Sequence, residues 1–205
     1  MTTRPSKSFL FKTLENELKN YNTKTGIDIA CGDAKNSHYF KTENYIGIDK
    51  NNELIQSNKK KFNKKKFLFI NILNLKNNKR ILGDVVVSTN TLAHIKNNKR
   101  LIAMKNIISL VKKNGSLICE VNILKEKIKK EDNLFTKNFI SVKKIYYKNY
   151  FNFFLERILI NKYLIFVYKI LIVLKVIKLL ELLETITSKI HIINHCIIYI
   201  CKTKK

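Results

Sequence analysis

The chain has 205 residues, 45% of them apolar, and a formal net charge of +25. This length and apolar content suit one domain with a full-sized core and exclude a disordered chain. The charge asks for a polyanion, either nucleic acid or an anionic membrane surface. However, Arg4, Arg80, Arg100 and Arg157 are the only arginines among 40 basic residues. Readers of bases and phosphates lean on the bidentate arginine fork, so nucleic acid is a weaker expectation than the charge suggests. The abundance of Lys, Asn and Ile is also what an AT-rich coding sequence supplies.

Cys31, Cys119, Cys196 and Cys201 form no CxxC pair, which predicts reduced thiols and no metal site. "MTTRPSK" has no apolar run, so a secretory leader is not expected and a cytoplasmic, or membrane-peripheral, location is.

In chain order, "SFLFKTLENELKN" spaces Phe11, Leu14 and Leu18 as one helix face. A strand is predicted at about 25–30, followed by a small-residue turn and a short helix. "NYIGIDK" reads as a second strand ending on Asp49, "NNELIQSNKKKFNKK" as a polar helix and "KFLFINIL" as a third strand. "GDVVVSTN" is a fourth strand, β-branched throughout and so buried on both faces. "NKRLIAMKNIISLVKKNG" predicts a helix with Leu101, Met104, Ile108 and Val111 inward, closed by Asn114-Gly115. "SLICEVNIL" is a fifth strand, 125–137 is charged and helical or looped, and "NFISVKKIYYKNYF" and "HIINHCIIYICKTKK" are two further strands. Such alternation argues for an open, mostly parallel sheet covered on both faces.

A sheet of this kind binds its ligand at the carboxyl ends of its strands, where strand order reverses. The first turn must let backbone approach the ligand, and Ala30, Gly32 and Ala34 are small enough. Asp49 follows Asp28 by 21 residues, a suitable spacing for an acid that binds two ribose hydroxyls.

At these residues the chain resembles the class I S-adenosylmethionine-dependent methyltransferases. "IDIACGD" is similar to their first motif, "YIGIDK" to the second, "FINILNL" to the third and "GDVVVSTNTLAHI" to the fourth. "LVKKNGSLICEV" resembles the turn and strand that follow, so the resemblance spans about 24–123. It implies an α/β, Rossmann-like fold: a mostly parallel seven-stranded sheet with helices on both faces and a terminal antiparallel hairpin. A single domain over 1–205 follows, with a lead-in helix in 1–23, the cofactor core in 24–123 and an acceptor-side region in 124–205.

The resemblance also implies S-adenosyl-L-methionine as cofactor. Asp28 and the backbone of Ala30, Cys31, Gly32 and Asp33 would hold its methionine part. Asp49 would take the ribose, Lys50, Asn71 and Ile72 would lie beside the adenine, and Ser88 and Thr89 would floor the transferring methyl. Alanine stands at 30 and 34 and asparagine at 71, where the family usually has glycines and an aspartate. Alanine suits a negative φ and is strained at a positive one. His94 is the candidate base, with His38 behind it, while His191 and His195 are expected to be structural.

An apolar stretch, about 153–187, interrupts the terminal hairpin. Within it, "YLIFVYKILIVLKVIKLL" (163–180) carries 13 Leu, Ile, Val or Phe residues and three lysines. Roughly −4 to −8 kcal/mol from the former against about +8 to +10 from the latter makes bilayer spanning unfavourable. Core helices, or a basic surface lying on anionic lipid, are the alternatives. The layout is loosely similar to methyltransferases found with surface-polysaccharide enzymes, which implies a small-molecule, glycan or lipid-linked acceptor. RNA methylation and a non-catalytic interaction protein are the alternative functions.

Overall fold

The computed structural model describes residues 5–77, 81–123, 128–159, 176–188 and 194–203. The chain enters through helix α1 (Pro5–Leu18), whose Leu10, Leu14 and Leu18 are buried on one face. Strands β1 (Thr25–Ile29), β2 (Asn44–Asp49), β3 (Lys66–Phe69), β4 (Gly83–Ser88) and β5 (Val111–Asn122) alternate with helices α2 (Asn52–Lys61) and α3 (Arg100–Ser109). After helix α4 (Ile128–Asn138), β6 (Ser141–Asn149) and β7 (Asn194–Lys202) close the sheet, with helices α5 (Tyr150–Leu159) and α6 (Val176–Thr187) between them in sequence.

The seven strands lie in the order β3-β2-β1-β4-β5-β7-β6. β1 pairs in parallel with both β2 and β4, so the order reverses at β1, while β7 is antiparallel to β5 and β6. This is the Rossmann-like sheet with a terminal hairpin that the sequence predicts. Val85, Val86 and Val87 of β4 are fully buried, as a β-branched central strand requires. Packing on one face centres on Ile27, Met104 and Tyr199, and on the other on Leu14, Ile55 and Ile198.

Three expectations are corrected. α3 buries Arg100, Ala103, Met104 and Ile107, whereas Leu101 is 37% exposed and Ile108 only partly buried. Arg100 turns the helix: its guanidinium meets the Glu131 carboxylate of α4 at 2.6 Å and donates to the Leu92 and Asn122 carbonyls. An apolar-periodicity reading has no place for a buried arginine. Val111 and Asn114-Gly115 belong to β5, where the β4 register shifts, and Asn114 takes φ 64 within the strand rather than capping α3. β3 stops at Phe69: the Ile70 N–H makes a last bond to the Asp49 carbonyl, and the Asn71 side chain then turns the chain by accepting from the Leu73 N–H.

The central part of the apolar stretch, 160–175, lies outside the described residues, as does His191. His195 packs its ring 4.2 Å from Tyr150 and Phe153, in keeping with a structural role. No described helix is long and apolar enough to cross a membrane.

Candidate active site

A cavity of about 710 Å³ opens at the carboxyl ends of β1, β2 and β4, beside the point where strand order reverses. That volume falls in the range of small-ligand and cofactor sites, roughly 300–1,000 Å³. Ala30, Cys31, Gly32, Asp33, Asp49, Lys50, Asn71, Ile72, Thr89 and His94 all line it. Asp28 and Ser88 do not: both are wholly buried beneath its floor.

The turn after β1 is left-handed at three positions, Ala30 (φ 54), Gly32 (φ 52) and Ala34 (φ 58). Glycine tolerates this geometry, but an L-residue pays a steric cost between Cβ and the following carbonyl. Both alanines therefore adopt the strained alternative. What holds them there is a set of bonds from outside the turn. Gly32 donates its N–H to Asp49 Oδ2 (2.9 Å), and its carbonyl accepts from Asn58 Nδ2 (2.6 Å). Cys31 gives its N–H to the Ile48 carbonyl, and burial pushes its thiol pKa well up, so it is no nucleophile.

Asp49 accepts one backbone N–H on each oxygen, from Gly32 and, at 2.8 Å, from Asn51. An ionised carboxylate has about four acceptor positions, so one lone pair per oxygen is left for a ligand. Asn51 then caps α2, its side chain accepting from the Glu53 and Leu54 N–H groups.

Asp28 is engaged inside the protein. Its Oδ1 accepts from Asn36 Nδ2 (3.1 Å) and its Oδ2 from the Tyr45 hydroxyl (2.9 Å). Burial pushes its pKa up to about 6, against the lowering effect of these two hydrogen bonds. Asn36 also donates to Thr89 Oγ1 at 3.1 Å, joining the first turn to the end of β4.

Beyond β4, Asn90 is left-handed (φ 55) and gives its N–H to the buried Glu120 at 2.7 Å. The other Glu120 oxygen accepts from Tyr147 of β6. The Asn90 side chain reaches His94 Nε2 at 3.3 Å. Sequence reading missed Asn36, Asn90 and the α1 residues Leu10 and Phe11, which form one wall of the cavity. Phe11 sat on the predicted helix face, but nothing local says which strand ends that face covers. Among the described residues, no group of His, Cys, Asp or Glu could hold a metal ion.

A family model described as "Methyltransferase domain" matches residues 27–117. No curated protein matches the chain. The chain is similar in structure to the N-methyltransferase NodS from Bradyrhizobium japonicum WM9, with 10% identity, a TM-score of 0.63 and all of both chains covered. NodS has also been crystallised with S-adenosyl-L-homocysteine, and that form aligns with a TM-score of 0.61 at 10% identity over 98% of this chain and 89% of its own. A TehB-like SAM-dependent methyltransferase from Corynebacterium glutamicum gives a TM-score of 0.61 at 12% identity, covering 94% of this chain and 88% of its own. The domain match covers residues 27–117, and these solved structures share the Rossmann-like fold of the chain.

Proposed function

We propose that this protein transfers a methyl group from S-adenosylmethionine to a small-molecule or glycan acceptor. The observation that carries the reading is Asp49, which lies at the end of β2 with both oxygens anchored by backbone and still able to accept a vicinal diol. Its neighbours suit the rest of the cofactor: Lys50, Asn71, Ile72, Thr89 and Asn90 line the same cavity. When bound, the cofactor supplies a sulfonium methyl for in-line displacement, a reaction that gains most from alignment. Leu10 and Phe11 give the cavity an apolar stretch of wall.

His94 lines the cavity with its Nε2 3.3 Å from the Asn90 side chain. RNA as acceptor has less behind it. The one arginine with a described side chain, Arg100, is buried in an ion pair.

Calorimetric titration of the folded wild type with S-adenosylhomocysteine tests the reading, with micromolar affinity expected. Absence of binding would sink it and leave the non-catalytic interaction protein in its place.

A second reading, contact with an anionic membrane, is favoured by α6. Lys178, Leu179, Leu182, Thr185 and Ile186 form one exposed, mostly apolar face of that helix. Its two acids are withdrawn from that face, Glu181 to Lys12 of α1 and Glu184 to the backbone N–H groups of Lys148 and Asn149. The remaining apolar and cationic character suits an interfacial helix.

A further inference from the structure

We infer that Asn36 is a further cofactor-binding residue, its side-chain carbonyl oxygen accepting from the α-ammonium group of the methionine moiety, with Asp28 as the positioning residue behind it. The inference rests on the methyl-transfer reading above.

The amide has two hydrogens, and both are committed, one to Asp28 Oδ1 and one to Thr89 Oγ1, each at 3.1 Å. An ionised carboxylate only accepts, so Asp28 fixes which end of the amide faces it. That leaves Asn36 Oδ1, to which no described residue donates. Asn36 is 9% exposed, and the surface it keeps faces the cavity it lines. An acceptor turned to the cavity is open to any ligand group that carries a donor.

The chemistry of the missing donor follows from its surroundings. Lys7, Lys35, Lys50, Lys96 and Lys99 line the cavity together with Asp33 and Asp49, and Lys35 is paired with Asp33. Behind Asn36 stands the carboxylate of Asp28, wholly buried and held on its other oxygen by Tyr45. Its charge polarises the amide and makes Oδ1 a favourable seat for an N–H donor carrying positive charge. Asp28 has no surface on the cavity, so it reaches a ligand only through Asn36.

The test is a thermodynamic cycle read by calorimetry: wild type and Asn36→Ala, each titrated with S-adenosylhomocysteine and with its deamino analogue. Wild type should prefer the parent ligand by at least tenfold, and Asn36→Ala should shrink that preference to within about twofold while binding the analogue as wild type does. Equal affinity of wild type for the two ligands would overturn the inference without any variant. An equal loss for both ligands in Asn36→Ala would also overturn it, assigning the residue to the turn alone. If wild type binds neither ligand, the methyl-transfer reading itself fails. Asp28→Asn, a near isostere, provides a second variant and should reduce the preference at least threefold with the analogue's affinity unchanged.

Discussion

The backbone N–H of Gly32 meets the carboxylate of Asp49 at 2.9 Å, so the turn after β1 and the acid ending β2 form one unit. Asp49→Ala therefore does two things. It removes the acceptors for a ribose diol, and it leaves the Gly32 and Asn51 N–H groups without a partner. Affinity for S-adenosylhomocysteine should become undetectable by calorimetry. Stability should fall by about 1–3 kcal/mol in urea denaturation, the usual cost of orphaned polar groups.

The two left-handed alanines separate by burial. Relieving a left-handed Cβ gains about 1–2 kcal/mol, against the roughly 0.4–1 kcal/mol that glycine costs through the unfolded chain. Ala30 is exposed, so Ala30→Gly should stabilise by up to about 1 kcal/mol and tighten cofactor binding. Ala34 is 2% exposed and its methyl is part of the core. Losing it costs about 0.8 kcal/mol more, so Ala34→Gly should be near neutral or destabilising. Urea titration of both variants checks the order.

Asp28 gives stability a pH dependence of known sign. Its pKa is raised from 3.8 to about 6 by burial, so the folded state binds the extra proton. Its contribution is fully present below about pH 4 and is lost as pH rises to about 6, a span of roughly 3 kcal/mol. Asp28→Asn should remove this component, leaving a flatter profile between those limits. A wild-type stability that rises across the window, with Asp28→Asn unchanged, would contradict the assignment.

Arg100 and Glu131 are 3% and 1% exposed and meet at 2.6 Å. Removing one charge strands the other, so Arg100→Ala should cost about 3–5 kcal/mol. The double change Arg100→Met with Glu131→Leu should recover most of it, which thermal melts of the three proteins would show.

For the membrane reading, Leu179→Glu with Leu182→Glu should abolish sedimentation with vesicles rich in phosphatidylserine and leave the affinity for S-adenosylhomocysteine unchanged. Wild-type protein that ignores such vesicles at low salt would end that reading.

The succession of strands along the chain and the small-residue turn were readable because they depend on local pattern. Val85 to Val87 declare a central strand by β-branching, and Asp49 declares itself by ending one strand 21 residues after the acid of another. Residues whose role is set by distant partners were not readable. Arg100 turns α3 because Glu131 waits on α4, and Asn36 is fixed by Asp28 and Thr89, eight and 53 residues away. The doubt over Ala30 and Ala34 was visible in the sequence, since alanine stands where a turn invites glycine. Its outcome was tertiary. Bonds from Asp49 and Asn58 to Gly32 between them hold the turn, so the chain accepts a left-handed backbone at residues that would not choose it locally.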